Sequence, residues 1–197
     1  MSQRYRRRAL RDLTAQIGVY ALCDLDNIPI YVGQSIDGIR QRVNRHLTSA
    51  RSDIIANRQI DVWKIAYVKA WPVENQADIP RLEAVLFKFF DDQKRLMNGS
   101  LPLLFAPMPA DVPSPAQTVR VMSEEDIRIR REPALRLPRQ IEHIGRLVDY
   151  VLTVKDAPHL RRSLAAHFER LDSYRADFLK EGIAADAEIL KVEDLEL

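Results

Sequence analysis

Apolar positions along the first hundred residues change period several times, and each change marks an element. Two β-rich runs, 17–23 and 28–32, flank the turn-forming Asp24-Leu25-Asp26-Asn27 and predict a hairpin. Ile39, Val43 and Leu47 recur every fourth residue, which predicts a helix over 38–50. Within 62–71, Trp63, Ile65 and Tyr67 alternate with polar or smaller residues, the period of a strand. Asp78 and Pro80 then open a second helix with Leu82, Val85, Leu86, Phe89, Leu96 and Met97 on one face. A basic stretch over 5–15 predicts a further helix in front. The order is α+β: a small antiparallel sheet flanked by helices.

Five of the eleven prolines fall between Pro102 and Pro115, a density that neither a helix nor a central strand tolerates. The chain therefore divides into a domain over 1–101, a proline-rich linker over 102–115 and an all-helical C-terminal region over 116–197. In that region Ser123 precedes three acids and marks a helix start, while Pro133 and Pro138 predict breaks. Ile141, Ile144, Leu147, Val148, Val151 and Leu152 form one apolar stripe, and Leu160, Leu164, Phe168, Leu171 and Phe178 form another. Two stripes separated by Lys155-Asp156-Ala157-Pro158 predict a helical hairpin, with an acidic tail from Glu181 that frays. Such a hairpin also suggests a homodimer through the C-terminal helices, and a domain before the linker that still acts when cut at about Val112.

Charge sharpens this division. The net charge is +2, yet residues 1–110 hold 16 basic against 11 acidic side chains and residues 111–197 hold 14 against 17. Of the 30 basic residues 23 are Arg, whose planar fork suits phosphate. A locally basic, Arg-rich half leans toward a polyanionic partner. No apolar run reaches a membrane span, and no signal segment follows the basic N-terminus, so the reading is a cytoplasmic protein that does not bind membranes. Cys23 is the lone cysteine, the four histidines lack zinc spacing, and the six glycines form no phosphate loop.

One constellation carries chemistry. Gly18-Val19-Tyr20 is followed by Tyr31-Val32-Gly33, then by Arg42 and His46. A hairpin centred on 24–27 sets Tyr20 directly opposite Tyr31 on one sheet face. Arg42 and His46, at i and i+4, share a helix face. Glu83 follows on the second helix and Asn98 just beyond it. Arg40 rivals Arg42, but only Arg42 has a histidine four residues on. Six polar side chains thus converge from separate elements, and Arg6, Arg7, Arg8, Arg40 and Arg45 are candidates for nucleic-acid contact.

In their order and approximate spacing these residues resemble the GIY-YIG nuclease superfamily over roughly 16–100. The resemblance implies a Mg²⁺-dependent DNA endonuclease, with Mn²⁺ as a substitute. Glu83 would be the one protein ligand of the metal, a single carboxylate with several waters suiting Mg²⁺. Tyr20 would orient or deprotonate the attacking water, its phenol pulled below the usual pKa of about 10 by metal and Arg42. Arg42 would stabilise phosphoryl charge, Tyr31 and His46 would position phosphate and water, and Asn98 would anchor the substrate or brace the site. Two other readings remain open: a nucleic-acid-binding module without cleavage, and an interaction protein on a nuclease-like scaffold.

Overall fold

The computed structural model describes residues 2–49, 52–98 and 111–193, with side chains to residue 180. Helix α1 (Ser2–Ala9) leads to strands β1 (Gly18–Cys23) and β2 (Pro29–Ser35), then helices α2 (Ile39–Thr48) and α3 (Asp53–Ala56). Strand β3 (Tyr67–Pro72), helix α4 (Ile79–Gln93) and strand β4 (Gln117–Arg120) follow, and helices α5 (Glu124–Arg131), α6 (Pro133–Thr153) and α7 (Pro158–Glu193) close the chain. The sheet is antiparallel throughout, in the order β2-β1-β3-β4. The α+β reading holds, with a fourth strand added by residues the sequence assigned to the helical region.

β1 is central and buried on both sides. Val19, Ala21 and Cys23 pack with Ile79, Leu86 and Phe87 of α4 on one face. Tyr20 and Leu22 pack on the other with Ile39, Val43 and Leu47 of α2. The α4 stripe is turned slightly from its expected direction: Phe87 is buried, whereas Phe89 is 37% exposed. The strand expected from residue 62 starts later. Residues Val62–Lys64 form a 3₁₀ turn, because Asp61 accepts from the Trp63 N–H and bends the chain there.

The hairpin register differs from the symmetric one. Tyr20 pairs with Gly33 and Leu22 with Tyr31, with a bulge after Leu22. Two local features add the two residues. The Asp24 N–H bonds the Ile28 carbonyl around a loop in which Asn27 takes φ 60° and Asp24 Oδ1 accepts from the Asp26 and Ile28 N–H groups. The bulge supplies the rest. A shift of two preserves the face. The tyrosines become diagonal neighbours instead of opposed ones, with ring centroids 6.3 Å apart.

Among the C-terminal helices, Ser123 caps α5 by accepting from the Asp126 N–H. Pro138 does not break α6, since it lies one turn inside a helix begun by Pro133 and removes a single backbone bond. α6 and α7 pack as the expected hairpin, although Ile141, Leu152 and Phe168 of the stripes are at least half exposed. The tail does not stop at Glu181: α7 runs on to Glu193 through alanines at 184, 185 and 187, the best helix formers. Of the proline-rich segment, residues 102–110 lie outside the described residues. In the described remainder of that segment, the Pro113 carbonyl accepts from the Trp71 indole at 2.8 Å.

The helical hairpin is fastened to the sheet by buried polar contacts. Lys64 Nζ donates to Gln140 Oε1 at 3.0 Å, and His167 Nε2 donates to the Gln59 carbonyl at 2.9 Å. Arg139 forks onto Asp61 at 2.7 and 3.0 Å, and Arg136 reaches Asp26 and the Tyr174 ring. Arg170, fully buried, donates to the Arg95 carbonyl at 2.6 Å.

Candidate active site

The floor of the site is Tyr20. Its side chain is completely buried, and its hydroxyl meets His46 Nε2 at 2.8 Å. His46, projecting from the buried side of α2, turns its Nδ1 to Ser52 Oγ at 2.6 Å. The Tyr31 ring stands edge-on to His46 with centroids 6.1 Å apart, completing a triangle of rings. Sequence reasoning misses Ser52. A serine six residues past His46 gives no periodic signal, and only the turn into α3 brings it back.

The glycines of the two motifs have separate physical reasons. A Cβ on Gly33 would lie 2.6 Å from the Tyr20 hydroxyl and 2.8 Å from the Tyr31 ring. Its bare backbone is what lets the phenol cross the strand. Gly18 takes φ +147° and passes so close to Trp71 that a Cβ would meet the carbonyl oxygen at 2.2 Å.

Arg42 approaches Tyr20 from α2, and its hydrogen bond and positive charge draw the phenol's pKa down. They do not prevail. Burial first, then the neighbouring Tyr31 and Glu83, raise the Tyr20 pKa well above 10. The expected depression of the phenol is therefore not a property of the protein alone. Arg40 is placed elsewhere, its Nε held by the Leu13 carbonyl at 2.6 Å. Of the two arginines, Arg42 is the one at Tyr20.

Glu83 comes from the first half of α4, half-buried and within electrostatic reach of Tyr20. Burial alone pushes its carboxyl up to about 7. No hydrogen bond or ion pair to Glu83 occurs among the described residues, nor does a group of three His, Cys, Asp or Glu side chains. A half-buried carboxylate lacking a cationic partner fits a divalent ion held by one protein ligand and otherwise by water.

Asn98 braces the site. Its Oδ1 accepts from the Val32 N–H at 2.9 Å and its Nδ2 donates to the Val32 carbonyl at 2.5 Å. β2 is an edge strand, and this amide satisfies its outward backbone at the middle of the Tyr31-Val32-Gly33 motif. Both ends of the amide are thus engaged with the strand that carries Tyr31 and Gly33.

A family model described as the GIY-YIG catalytic domain matches residues 16–95. Over those residues the chain is similar to the GIY-YIG catalytic domain. The chain thus carries a nuclease-type domain, with α1, Asn98 and the C-terminal helices outside the matched residues. No match is found among curated proteins or solved structures. No helix among the described residues is long and apolar enough to cross a membrane.

The arginines expected to touch nucleic acid divide in two. Arg7, Arg8, Arg40 and Arg45 are exposed. Arg6 is buried and donates to the Val62 and Ile65 carbonyls at 3.3 Å each. Its guanidinium ties α1 to the backbone around the 3₁₀ turn, so it anchors α1 and is closed off from phosphate.

Proposed function

We propose that the protein is a Mg²⁺-dependent endonuclease that hydrolyses phosphodiester bonds of DNA. The observation carrying this reading is the chain from Tyr20 through His46 to Ser52, flanked by Arg42 and an uncompensated Glu83. Tyr31, Arg42 and Glu83 are half-exposed and form the rim that substrate meets. Tyr20 and His46 form the floor.

As water attacks phosphorus, the Tyr20 oxygen takes a proton from it and passes its own to His46 Nε2. In the tautomer with the proton on Nδ1, His46 donates to Ser52 Oγ and Nε2 accepts from the Tyr20 hydroxyl. The step balances: the bond from water oxygen to phosphorus forms as the bond to the leaving oxygen breaks, one proton passes from water to the imidazole, and the departing oxygen takes a proton from solvent. Arg42 offers its fork to the phosphoryl oxygens as charge builds there. Tyr31 orients the scissile phosphate through its hydroxyl. Glu83 would hold the divalent ion, which when bound supplies Lewis-acid charge to phosphoryl and leaving oxygens. Exchanging Mg²⁺ for Mn²⁺ keeps this oxygen-ligand chemistry.

The test is incubation of the purified protein with supercoiled plasmid and Mg²⁺, beside Glu83→Ala. Nicked or linear product from the wild type and none from the variant is the expected result. Complete burial of Tyr20 favours a second reading, a nucleic-acid-binding module without cleavage. Salt-dependent DNA binding with intact plasmid under Mg²⁺ and Mn²⁺ would select it.

A further inference from the structure

The arginines of this chain fall into two electrostatic populations. From Arg95 onward ten arginines stand in ion pairs with Asp or Glu, among them Arg128 with Glu125, Arg161 with Asp156 and Arg175 with Asp172. Before Arg95 no arginine is in an ion pair among the described residues. The excess positive charge is thus concentrated on arginines that form no ion pair among the described residues.

Three of those arginines share one groove. Arg7 and Arg11 from α1 and the turn behind it, with Arg40 from α2, line a cleft of about 380 Å³, and Asp37 is the single acid on its wall. The cleft is rigidly built. Leu10 and Leu13 sit in the core and Arg6 is tied inside the domain, so α1 cannot swing freely. Arg40 spends its Nε on the Leu13 carbonyl, which aims the guanidinium and leaves its terminal N–H groups unspent.

The geometry of α2 connects this groove to the site. Arg40 and Asn44, four residues apart, face the groove, whereas Arg42 and His46, also four apart, face Tyr20. At about 100° per residue, exposed Arg45 lies between those two faces. A strand crossing the outer surface of α2 from the site would meet Arg45 and then the three-arginine groove. The chemistry offered along that path is repeated, sequence-independent recognition of monoanionic phosphates.

We propose that the α1–α2 groove is a phosphate-backbone track, in which Arg7, Arg11 and Arg40 hold the nucleic-acid strand that leaves the site over Arg45. The track rests on the nuclease reading for its direction, and on the unpaired arginines for its chemistry.

The experiment measures binding of the full-length protein to a labelled DNA duplex of arbitrary sequence, in EDTA, across a range of salt concentrations. Arg7→Gln, Arg11→Gln and Arg40→Gln combined should lower the slope of log affinity against log salt by about 2 to 3, near 0.9 for each phosphate no longer neutralised. Arg7→Glu with Arg11→Glu leaves the Arg40–Leu13 bond in place and should weaken binding even where the triple variant misfolds by circular dichroism. Arg128→Gln, Arg161→Gln and Arg175→Gln combined remove equal charge from ion-paired positions and should leave the slope nearly unchanged. Equal slopes in wild type and groove variants, or equal slope reductions in groove and control variants, overturn the track. Plasmid cutting with unchanged groove slopes overturns the track alone. A reduced slope without cutting under Mg²⁺ or Mn²⁺ supports the track and removes the nuclease reading.

Discussion

The Tyr20 hydroxyl lies 2.8 Å from Nε2 of His46, and both side chains are sealed from solvent. A phenol raised well above its ordinary pKa is a poor base by itself. Coupled to an imidazole, it needs only to relay a proton. Tyr20→Phe keeps the ring and removes the relay, so plasmid cleavage should fall at least about 100-fold. Ser52→Ala should cost about tenfold and shift the acidic limb of the pH–rate profile, because the His46 tautomer is no longer fixed. Ser52→Thr should restore both. An unchanged profile in Ser52→Ala would remove Ser52 from the relay.

Glu83→Gln preserves shape and abolishes the charge. Glu83 is half-exposed at the edge of the α4 core face, so the change should alter stability by under about 1 kcal/mol. Cleavage should disappear, and Mg²⁺ should raise the melting temperature of the wild type but not of the variant. Cleavage by Glu83→Gln at the wild-type rate would refute the ligand assignment.

Gly33→Ala inserts a methyl where the Tyr20 hydroxyl passes, at 2.6 Å. Neither strand backbone nor buried phenol can yield cheaply, so a loss of about 1–3 kcal/mol is expected from overpacking. Activity should fall further than stability explains, since the displaced hydroxyl parts from His46. Urea denaturation and single-turnover cleavage on one preparation separate the two effects.

These residues also show what the sequence reveals and where it stops. The order from Tyr20 to Asn98 is legible because each position is fixed by a period: alternation on β1 and β2, four-residue spacing on α2, the polar flank of α4. The hairpin register is not, because a bulge and an Asn27 loop are decided by backbone geometry that composition barely marks. Gln117–Arg120 is too short and polar to read as a strand, yet Gln117 bonds the backbone of Asp12 and Thr14 and secures it. Arg6 reads as one of an exposed basic run. Only the tertiary fold shows two carbonyls waiting for it.

The junction between sheet and helical hairpin titrates. Burial first, then Lys64, hold His143 down to about 4 from its usual 6.5, and the same two causes hold His167 well below 6.5. Lys64, itself pushed down to about 7 by burial, Arg139 and Arg170 face the pair, with Asp61 as the opposing charge. An unfolded chain protonates these histidines below about 6.5 while the folded chain keeps them neutral. The contribution of the histidines to stability should therefore be full above 6.5 and decline as pH falls toward 4. His143→Asn should flatten that decline in melting temperature between the two values. A melting temperature constant from pH 7 to pH 4.5 would refute the assignment.

Cutting the chain after residue 115 tests whether the proline-rich segment separates two independent parts. The proline density alone suggests that it does, and that cleavage survives. The structure sets strong costs against it. Truncation removes β4 and bares the β3 edge. It also strips Lys64 of Gln140 and His167, and Asp61 of Arg139. Met122 and Ile127 are taken from Leu25 and Ala66, and Val119 and Val121 from the sheet core, so side chains buried in the whole protein meet water at a cost of about 25 cal/mol per Å² of apolar surface. A truncated protein should consequently show a broadened, non-cooperative thermal transition and no plasmid cleavage. If the truncated chain instead melts as sharply as the full one, the helical hairpin is an appendage, and its polar contacts hold nothing that the GIY-YIG domain requires.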